Sequence, residues 1–233
     1  MNRKILCFLC LLLLLNFETF GQSREGKLGS LFAGARVGMN TSFLSQNNLS
    51  LTTGKAGLNG GLYVGYSITD QLSISIEPMY SQIGSNNINP SFLFFESVES
   101  EFLNDISEMN LRIHSLNFPI IASAFLGGSD TRPRVFLGAS YDYNHWATTQ
   151  NTQIRHNYLT DEDKQVTTYT AVDDRIQDHG ISGIIGVGAV VYQGSLVISF
   201  DIRGVYSFDN LNAAQTSNPL YNRGIIATIG FGL

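Results

Sequence analysis

The residues SLVISFDIRGVYSFD, Ser195–Asp209, decide the fold of this 233-residue chain. Apolar or small residues occupy every second position, and the residues between them are more polar. Because successive strand side chains point to opposite faces, the alternation predicts a β-strand with one apolar and one polar face. Ordinary strands have about 5–6 residues, whereas about 9–11 tilted residues cross a bilayer. With Asp201 and Arg203 on the polar face, the stretch predicts a membrane-spanning strand whose apolar face meets lipid.

The composition of the chain fits this interpretation. Charged residues make up 14 % of the sequence, against about 25 % in soluble domains. Glycine is frequent, with 23 residues, and proline is scarce, with 5. The net charge of −5 offers no basic surface, so we expect no nucleic-acid partner.

The N-terminus has the pattern of a secretory signal. Arg3 and Lys4 are positively charged, and the apolar run Ile5–Leu15 follows them. Small residues precede Gln22, which predicts a signal peptide over residues 1–21. The apolar run is shorter than the roughly 20 residues of a spanning helix, so export without a helical anchor is expected.

The predicted domain organisation follows from this signal. A periplasmic lead is expected over residues 22–31 and an outer-membrane barrel over residues 32–233. Cys7 and Cys10 form a C-x-x-C pattern, which elsewhere suggests redox or metal chemistry. Both lie inside the predicted signal peptide, so the mature chain is predicted to have no thiol chemistry and no cofactor.

Alternating segments recur through the chain and predict an all-β fold, an eight-stranded antiparallel up-and-down transmembrane β-barrel. The predicted strands are 32–44, 56–68, 71–83, 109–125, 135–148, 179–192, 195–209 and 222–233. The predicted long connections are 45–55, 84–108, 149–178 and 210–221. The other connections are short, and short turns alternating with long loops are typical of outer-membrane barrels, whose long loops lie outside the cell.

Several segments carry a resemblance to a known family. They are GARVGMN at Gly34–Asn40, GLYVGYSITDQLSISIEPMYSQIG at Gly61–Gly84, LNFPIIASA at Leu116–Ala124, RVFLGASYDY at Arg134–Tyr143 and IIATIGFGL at Ile225–Leu233. Together they resemble the PorT-like outer-membrane β-barrel proteins of Gram-negative bacteria. The resemblance implies an eight-stranded barrel in the outer membrane. The member that names the family works in type IX protein secretion, so the resemblance also implies that role as an alternative.

Charged residues on the polar faces of the strands are the candidates for a site in the lumen. They are Arg36, Glu77, Asp142, Asp201 and Arg203. An eight-stranded barrel is filled by side chains, and an isolated buried charge is very costly. We therefore predict a network of ion pairs and hydrogen bonds, with a narrow ion path or a ligand site as the alternative.

The long loops supply a second set of candidates. The candidate binding residues are Phe95, Phe102, Asp161, Glu162 and Asp163. Residues 91–110 carry apolar positions at helical spacing, which fits a short helix on the barrel mouth, a partner-binding segment or a hairpin. The acidic residues of the third loop lack the spacing of an EF-hand, so no metal site is predicted.

The sequence thus predicts a non-enzymatic protein of the outer membrane. Its expected partners are outer-membrane lipid and a protein that binds the external loops or periplasmic turns. An outer-membrane lipid-modifying enzyme remains an alternative, with His145 or His156 near Asp142 and Ser140, although no Gly-x-Ser-x-Gly or His-Glu-x-x-His motif is present. A soluble lipocalin-like barrel, with its apolar faces inward, is another alternative.

Overall fold

A computed structural model describes most of the chain after the predicted signal peptide. The described residues are 29–46, 49–50, 53–88, 106–127, 130–157, 162–194, 196–213 and 219–233. The predicted signal peptide, Phe95, Phe102 and Asp161 lie outside them, as do the side chains of Glu162 and Asp163. Within the described residues, no helix is long and apolar enough to span a membrane.

The secondary structure is almost entirely β. The strands are β1 Leu31–Gln46, β2 Leu49–Ser50, β3 Thr53–Ser67, β4 Leu72–Ile76, β5 Met79–Asn86, β6 Ile106–Phe125, β7 Thr131–Asn157, β8 Glu162–Ala171, β9 His179–Gln193, β10 Leu196–Ser207 and β11 Tyr221–Gly232. A short 3-10 helix covers Asp173–Arg175. All strand pairs are antiparallel.

The sheet closes on itself. The first strand, β1, pairs with β3 along one edge and with the last strand, β11, along the other. The strands β4 and β5 share one position in the wall, between β3 and β6, while β2 and β8 add to the ring without widening it. The ring therefore has eight positions, and the predicted eight-stranded barrel is confirmed. Closure leaves no open edge in the wall, which a lipid environment requires.

The third position of the wall is interrupted at Glu77 and Pro78, so the single strand predicted over residues 71–83 is divided into β4 and β5. Proline has no backbone N–H, so it cannot donate to a ladder. The Pro78 carbonyl instead accepts from the Leu62 amide at 3.0 Å, and the Glu77 amide donates to the Pro119 carbonyl at 3.0 Å. The alternation of inward and outward side chains continues across the break, so Glu77 lies on the inside with Ser75 and Met79 and is buried.

The barrel has its apolar residues outside and its polar residues inside. The outward side chains of Ile185 and Leu137 are 71 % and 66 % exposed, whereas the inward Arg36 and Arg203 are each 2 % exposed. A lipocalin-like barrel requires the opposite arrangement, so that alternative is wrong. The wall presents to its surroundings the apolar band that lipid solvates.

One predicted long loop is wrong, and one predicted short connection is shorter than expected. The predicted loop 149–178 is largely a hairpin, in which β7 continues to Asn157 and β8 returns along it from Glu162. The predicted short turn 127–134 ends early, since β7 begins at Thr131 opposite Val191. In both places the backbone pairs with a neighbouring strand although the side chains show no apolar alternation.

The fourth predicted strand, β6, keeps one phase along its length, and the irregularity opposite it lies on β7. His114 pairs with Trp146 while Ser115 pairs with Asn144, which leaves His145 without an opposite residue. Such an extra residue is a β-bulge and re-aims the side chains around it. On β6 the alternation is unbroken, so Arg112 and His114 share the outer face with Leu116 and Phe118, whereas on β7 the adjacent residues His145 and Trp146 are both exposed.

Glycines on the inner face make room for large side chains. A Cβ placed on Gly34 would lie 2.5 Å from the Tyr63 ring and 2.2 Å from the Phe231 carbonyl oxygen. The carbonyl belongs to the backbone of the neighbouring strand, so the collision cannot be relieved by a rotamer change. Gly34 therefore leaves room for the ring of Tyr63, its partner on the neighbouring strand, to lie over β1.

We expect Gly34→Ala to lower the free energy of unfolding by about 1–3 kcal/mol, the usual cost of overpacking. Gly60→Ala is the matched control, because a Cβ on Gly60 would meet only the Arg36 carbonyl at 3.5 Å and Val37 at 3.8 Å. Urea unfolding in lipid vesicles, followed by the gel-mobility difference between folded and unfolded barrel, measures both. Equal effects would contradict the packing argument.

Candidate functional site

The centre of the lumen holds an ion cluster on the carboxylate of Asp201. Arg36 donates to it at 2.5 Å, Arg134 donates at 2.8 Å, and Arg203 donates at 3.3 Å. Arg134 also reaches the other carboxylate oxygen with both Nε and Nη2, at 3.0 and 2.8 Å. All four side chains are almost completely buried, so these charge-assisted hydrogen bonds operate away from water.

Glu77 is the second carboxylate of the same cluster. Its Oε2 lies 2.6 Å from Arg203 Nη1 and 3.4 Å from Arg36 Nη1, and its Oε1 accepts from Ser75 at 3.1 Å. The cluster thus joins three guanidinium groups to two carboxylates. Buried charges of this kind are tolerated only when each one has its partners.

Aromatic rings complete the cluster. The Arg36 guanidinium lies 4.7 Å from the centroid of the Tyr63 ring. Arg134 and Arg203 lie 5.4 and 5.3 Å from the centroid of Phe136. The negative faces of these rings attract the guanidinium charges and fill the space between them.

Asp142 lies apart from this cluster. Its carboxylate accepts hydrogen bonds from Asn117 at 2.7 Å, from Ser140 at 2.5 Å and from Ser182. These neutral donors satisfy the carboxylate without an ion pair. Together with Asp142, the cluster has three basic side chains, Arg36, Arg134 and Arg203, and the acidic side chains number three as well.

One member of the cluster, Arg134, was not among the predicted luminal residues. Of the five predicted luminal residues, Arg36, Glu77, Asp201 and Arg203 meet in the cluster and Asp142 does not. Arg134 was missed because the predicted strand began at residue 135, which left Arg134 in the connection before it. The sequence pattern that could have revealed Arg134 is its spacing of two residues from Phe136. This spacing puts both side chains on the inner face of the same strand.

A polar chamber lies between the cluster and Asp142. It is a cavity of about 50 Å³ bounded by Arg203 at one side and Asp142 at the other. Its lining includes the buried side chains of Asn40 and Asn59, whose Oδ1 atoms accept no hydrogen bond from the described residues. At about 10–15 Å³ for each water, the chamber has room for roughly three to five water molecules.

An apolar cluster closes the end of the barrel that carries the long loops. We call this cluster the outer plug, and it contains Leu44, Ile88, Met109, Leu111, Ile113, Ala147, Val172, Ile176, Leu211 and Leu220. These residues come from the ends of barrel strands and from the segments after β8 and β10. A backbone bridge between Ile176 and Asn212 ties two of these segments together across the mouth. The other end of the lumen is also apolar, with Phe125, Val190, Tyr192 and Val197 packed together.

Aromatic and histidine side chains form a belt on the outer surface near the long loops. The Tyr141 hydroxyl lies 2.7 Å from His179 Nδ1, and the Tyr143 ring stacks on His179 with centroids 5.3 Å apart. His114 stacks on Trp146 with centroids 4.8 Å apart. Such rings, apolar at one end and polar at the other, suit a membrane interface.

Two histidines were predicted for an enzyme; the side chain of His156 lies outside the described residues, and His145 does not meet its predicted partners. His145 belongs to the outer belt and is exposed, whereas Ser140 and Asp142 bind each other on the inner face. The barrel wall separates the two groups. Among the described residues, no group of three His, Cys, Asp or Glu side chains is arranged to hold a metal ion.

The closed barrel, its apolar outer face and its aromatic belt agree with a comparison against protein families. The model of a family described as outer membrane protein beta-barrel domain matches residues 20–212, most of the chain. The chain belongs to this family. It is therefore a protein of the outer membrane, and the long loops mark the external end of the barrel.

Two solved structures are among those similar to the chain. Neisserial surface protein A is 13 % identical, with 86 % of this chain and 95 % of that chain covered, at a TM-score of 0.42. Ail, the attachment invasion locus protein of Yersinia pestis, is 11 % identical, with 87 % and 99 % covered, at a TM-score of 0.39. With TM-scores below 0.5, neither assigns a function to this chain. No curated protein sequence matches the chain.

Proposed function

We propose that this outer-membrane barrel is neither an enzyme nor a pore, and that it presents a binding surface outside the cell. The observation that carries the proposal is the filled lumen. The ion cluster occupies its centre with side chains at most 3 % exposed, and the outer plug covers the external end. A barrel that transports nothing leaves its external segments as the place for function, and rigid scaffolds usually carry binding residues there.

The hairpin of β7 and β8 is the most developed external segment. Its paired residues run from Thr148 and Ala171 at the barrel rim to Asn157 and Glu162. The described part of β8 is rich in threonine, and Tyr169 on it is 72 % exposed. An exposed tyrosine among small polar residues offers contact area and hydrogen bonding at a low entropic cost. We propose that a protein partner binds this hairpin.

The backbone of the hairpin is a second possible contact for a protein partner. Among the described strands, β8 pairs only with β7, so its second edge faces no described strand. An open edge can accept a strand from another chain, with main-chain hydrogen bonds supplying affinity. The acidic residues Glu162 and Asp163, predicted as binding residues, belong to this strand.

We expect that shortening the hairpin abolishes the biological effect of the protein and leaves the barrel folded. The register allows a clean design, because Thr148 and Ala171 are directly paired at the barrel rim and can be joined through an Asn-Gly turn, which removes Tyr169 with the hairpin. A strain with this variant should show the same phenotype as a strain lacking the gene. Alanine at Tyr169 in the full hairpin is the milder companion variant.

The controls separate folding, conduction and binding. The heat-dependent gel shift of the shortened protein must match that of the full chain. The full chain should add no steady conductance to a planar bilayer, and ion conductance above background would contradict the closed lumen. Full activity without the hairpin would overturn the proposed surface. A selective loss of type IX secretion would identify the partner within that machinery, as the PorT-like resemblance suggests.

A further inference from the structure

The lipid-facing wall of the barrel has a notch at Gly204. In the register of the sheet, Gly204 lies between Ile185 on β9 and Ile225 on β11. Both isoleucines point outward and are 71 % and 58 % exposed. A Cβ on Gly204 would meet only Ile185, at 3.7 and 3.8 Å, so the space above the glycine is open. The notch belongs to a hollow of about 470 Å³.

The external rim of this notch is basic and aromatic. Arg223 is paired with Phe43 on one side and with Tyr206 on the other. Its guanidinium carbon lies 4.7 Å from the centroid of the Tyr206 ring, and its Nη2 donates to the Tyr206 hydroxyl at 3.3 Å. Tyr206 in turn packs against Phe208, with centroids 5.6 Å apart. The guanidinium is thus held at one end of an apolar depression.

We propose that the notch binds an acyl chain of a phosphorylated lipid of the outer leaflet, with Arg223 on its phosphate. The wall faces lipid, so an apolar depression at Gly204 fits an alkyl chain. Arg223 lies near the external end of β11, at the level of the outer aromatic belt, where lipid headgroups begin. A guanidinium binds a phosphate with short charge-assisted hydrogen bonds.

The charge at the rim distinguishes this hollow from another on the same wall. A hollow of about 650 Å³ nearer the short turns is lined by residues such as Leu72, Ile74 and Val187. Its lining contains no charged residue in the described part of the chain. Such a surface suits any lipid chain, whereas the notch at Gly204 adds an ionic group that selects an anionic headgroup.

The test measures lipid binding to the whole purified barrel in a neutral detergent. The probes are dioleoyl phosphatidic acid and dioleoylglycerol, which share their chains and differ in the phosphate. Native mass spectrometry counts the bound lipids during a titration. We expect the barrel to bind phosphatidic acid about tenfold more tightly, as expected for one charge-assisted contact. Gly204→Leu should weaken that binding about tenfold by filling the notch.

Two further variants isolate the two parts of the site. Arg223→Gln should bring the affinity for phosphatidic acid down to that for dioleoylglycerol. Gly60→Leu is the matched control, because Gly60 is a similarly open glycine on the same outer face but on β3, three strands away around the ring, and binding should not change. Each variant must first show the gel shift of a folded barrel.

Three results would overturn the proposal. The first is equal affinity of the unchanged barrel for both lipids. The second is unchanged binding of phosphatidic acid to both Gly204→Leu and Arg223→Gln. The third is a change of oligomeric state with Gly204→Leu while lipid binding stays the same, which would make the notch a contact between copies of the chain.

Discussion

Asp201→Ala is expected to destabilise the barrel by about 3–5 kcal/mol, the usual cost of breaking a buried ion pair by removing one partner. The carboxylate accepts from Arg36, Arg134 and Arg203, and its removal leaves Glu77 as the one acid of the cluster. Three buried guanidinium groups would then repel one another with a single counter-charge. Urea unfolding of the barrel in lipid vesicles measures the loss, and failure to fold into the vesicles would be its extreme form.

Asp174→Ala provides the comparison for that experiment. Asp174 also pairs with an arginine, since Arg175 Nε lies 3.2 Å from its Oδ2, but its side chain is 77 % exposed. Water screens such a pair, so the change in unfolding free energy should stay below about 1 kcal/mol. If Asp201→Ala costs no more than Asp174→Ala, the cluster does not stabilise the lumen in the way proposed.

The architecture of the wall could be predicted because its physical rule is simple. A strand between lipid and a polar lumen must alternate in every second residue, as Ile198, Phe200 and Ile202 do on one face of β10. The same rule placed Arg36 and Glu77 inside. This alternation can be recognised within one strand, without knowing which strands lie beside it.

The hairpin beyond the membrane and the extent of the outer plug could not be predicted in this way. Residues 149–157 are mostly polar on both faces, so no alternation marks them as a strand. Their conformation depends on backbone pairing with β6 and β8, which is non-local information. The inward positions of Met109 and Leu111 share the outer plug with Leu211 and Leu220 from a distant segment. An apolar residue facing inward breaks the rule of the wall, so only the assembled mouth explains it.

Leu111→Asn is expected to destabilise the barrel by about 3–5 kcal/mol, while Arg112→Asn should change its stability by less than about 1 kcal/mol. The two residues are adjacent and receive the same new side chain. Leu111 is completely buried in the outer plug, where an amide loses the apolar packing and has to be desolvated. Arg112 points outward and is exposed. Equal losses in urea unfolding would contradict this assignment of the faces.

Leu111→Asn also tests which part of the molecule closes the lumen. If the outer plug were the only barrier, a folded Leu111→Asn barrel would conduct ions in a planar bilayer. We expect it to remain closed, because the cluster of Arg36, Asp201 and Arg203 still fills the lumen on the periplasmic side of the polar chamber. Conductance is expected only when Leu111→Asn is combined with a substitution that opens the cluster. If the single variant Leu111→Asn conducted ions, the outer plug alone would be the barrier that closes the lumen.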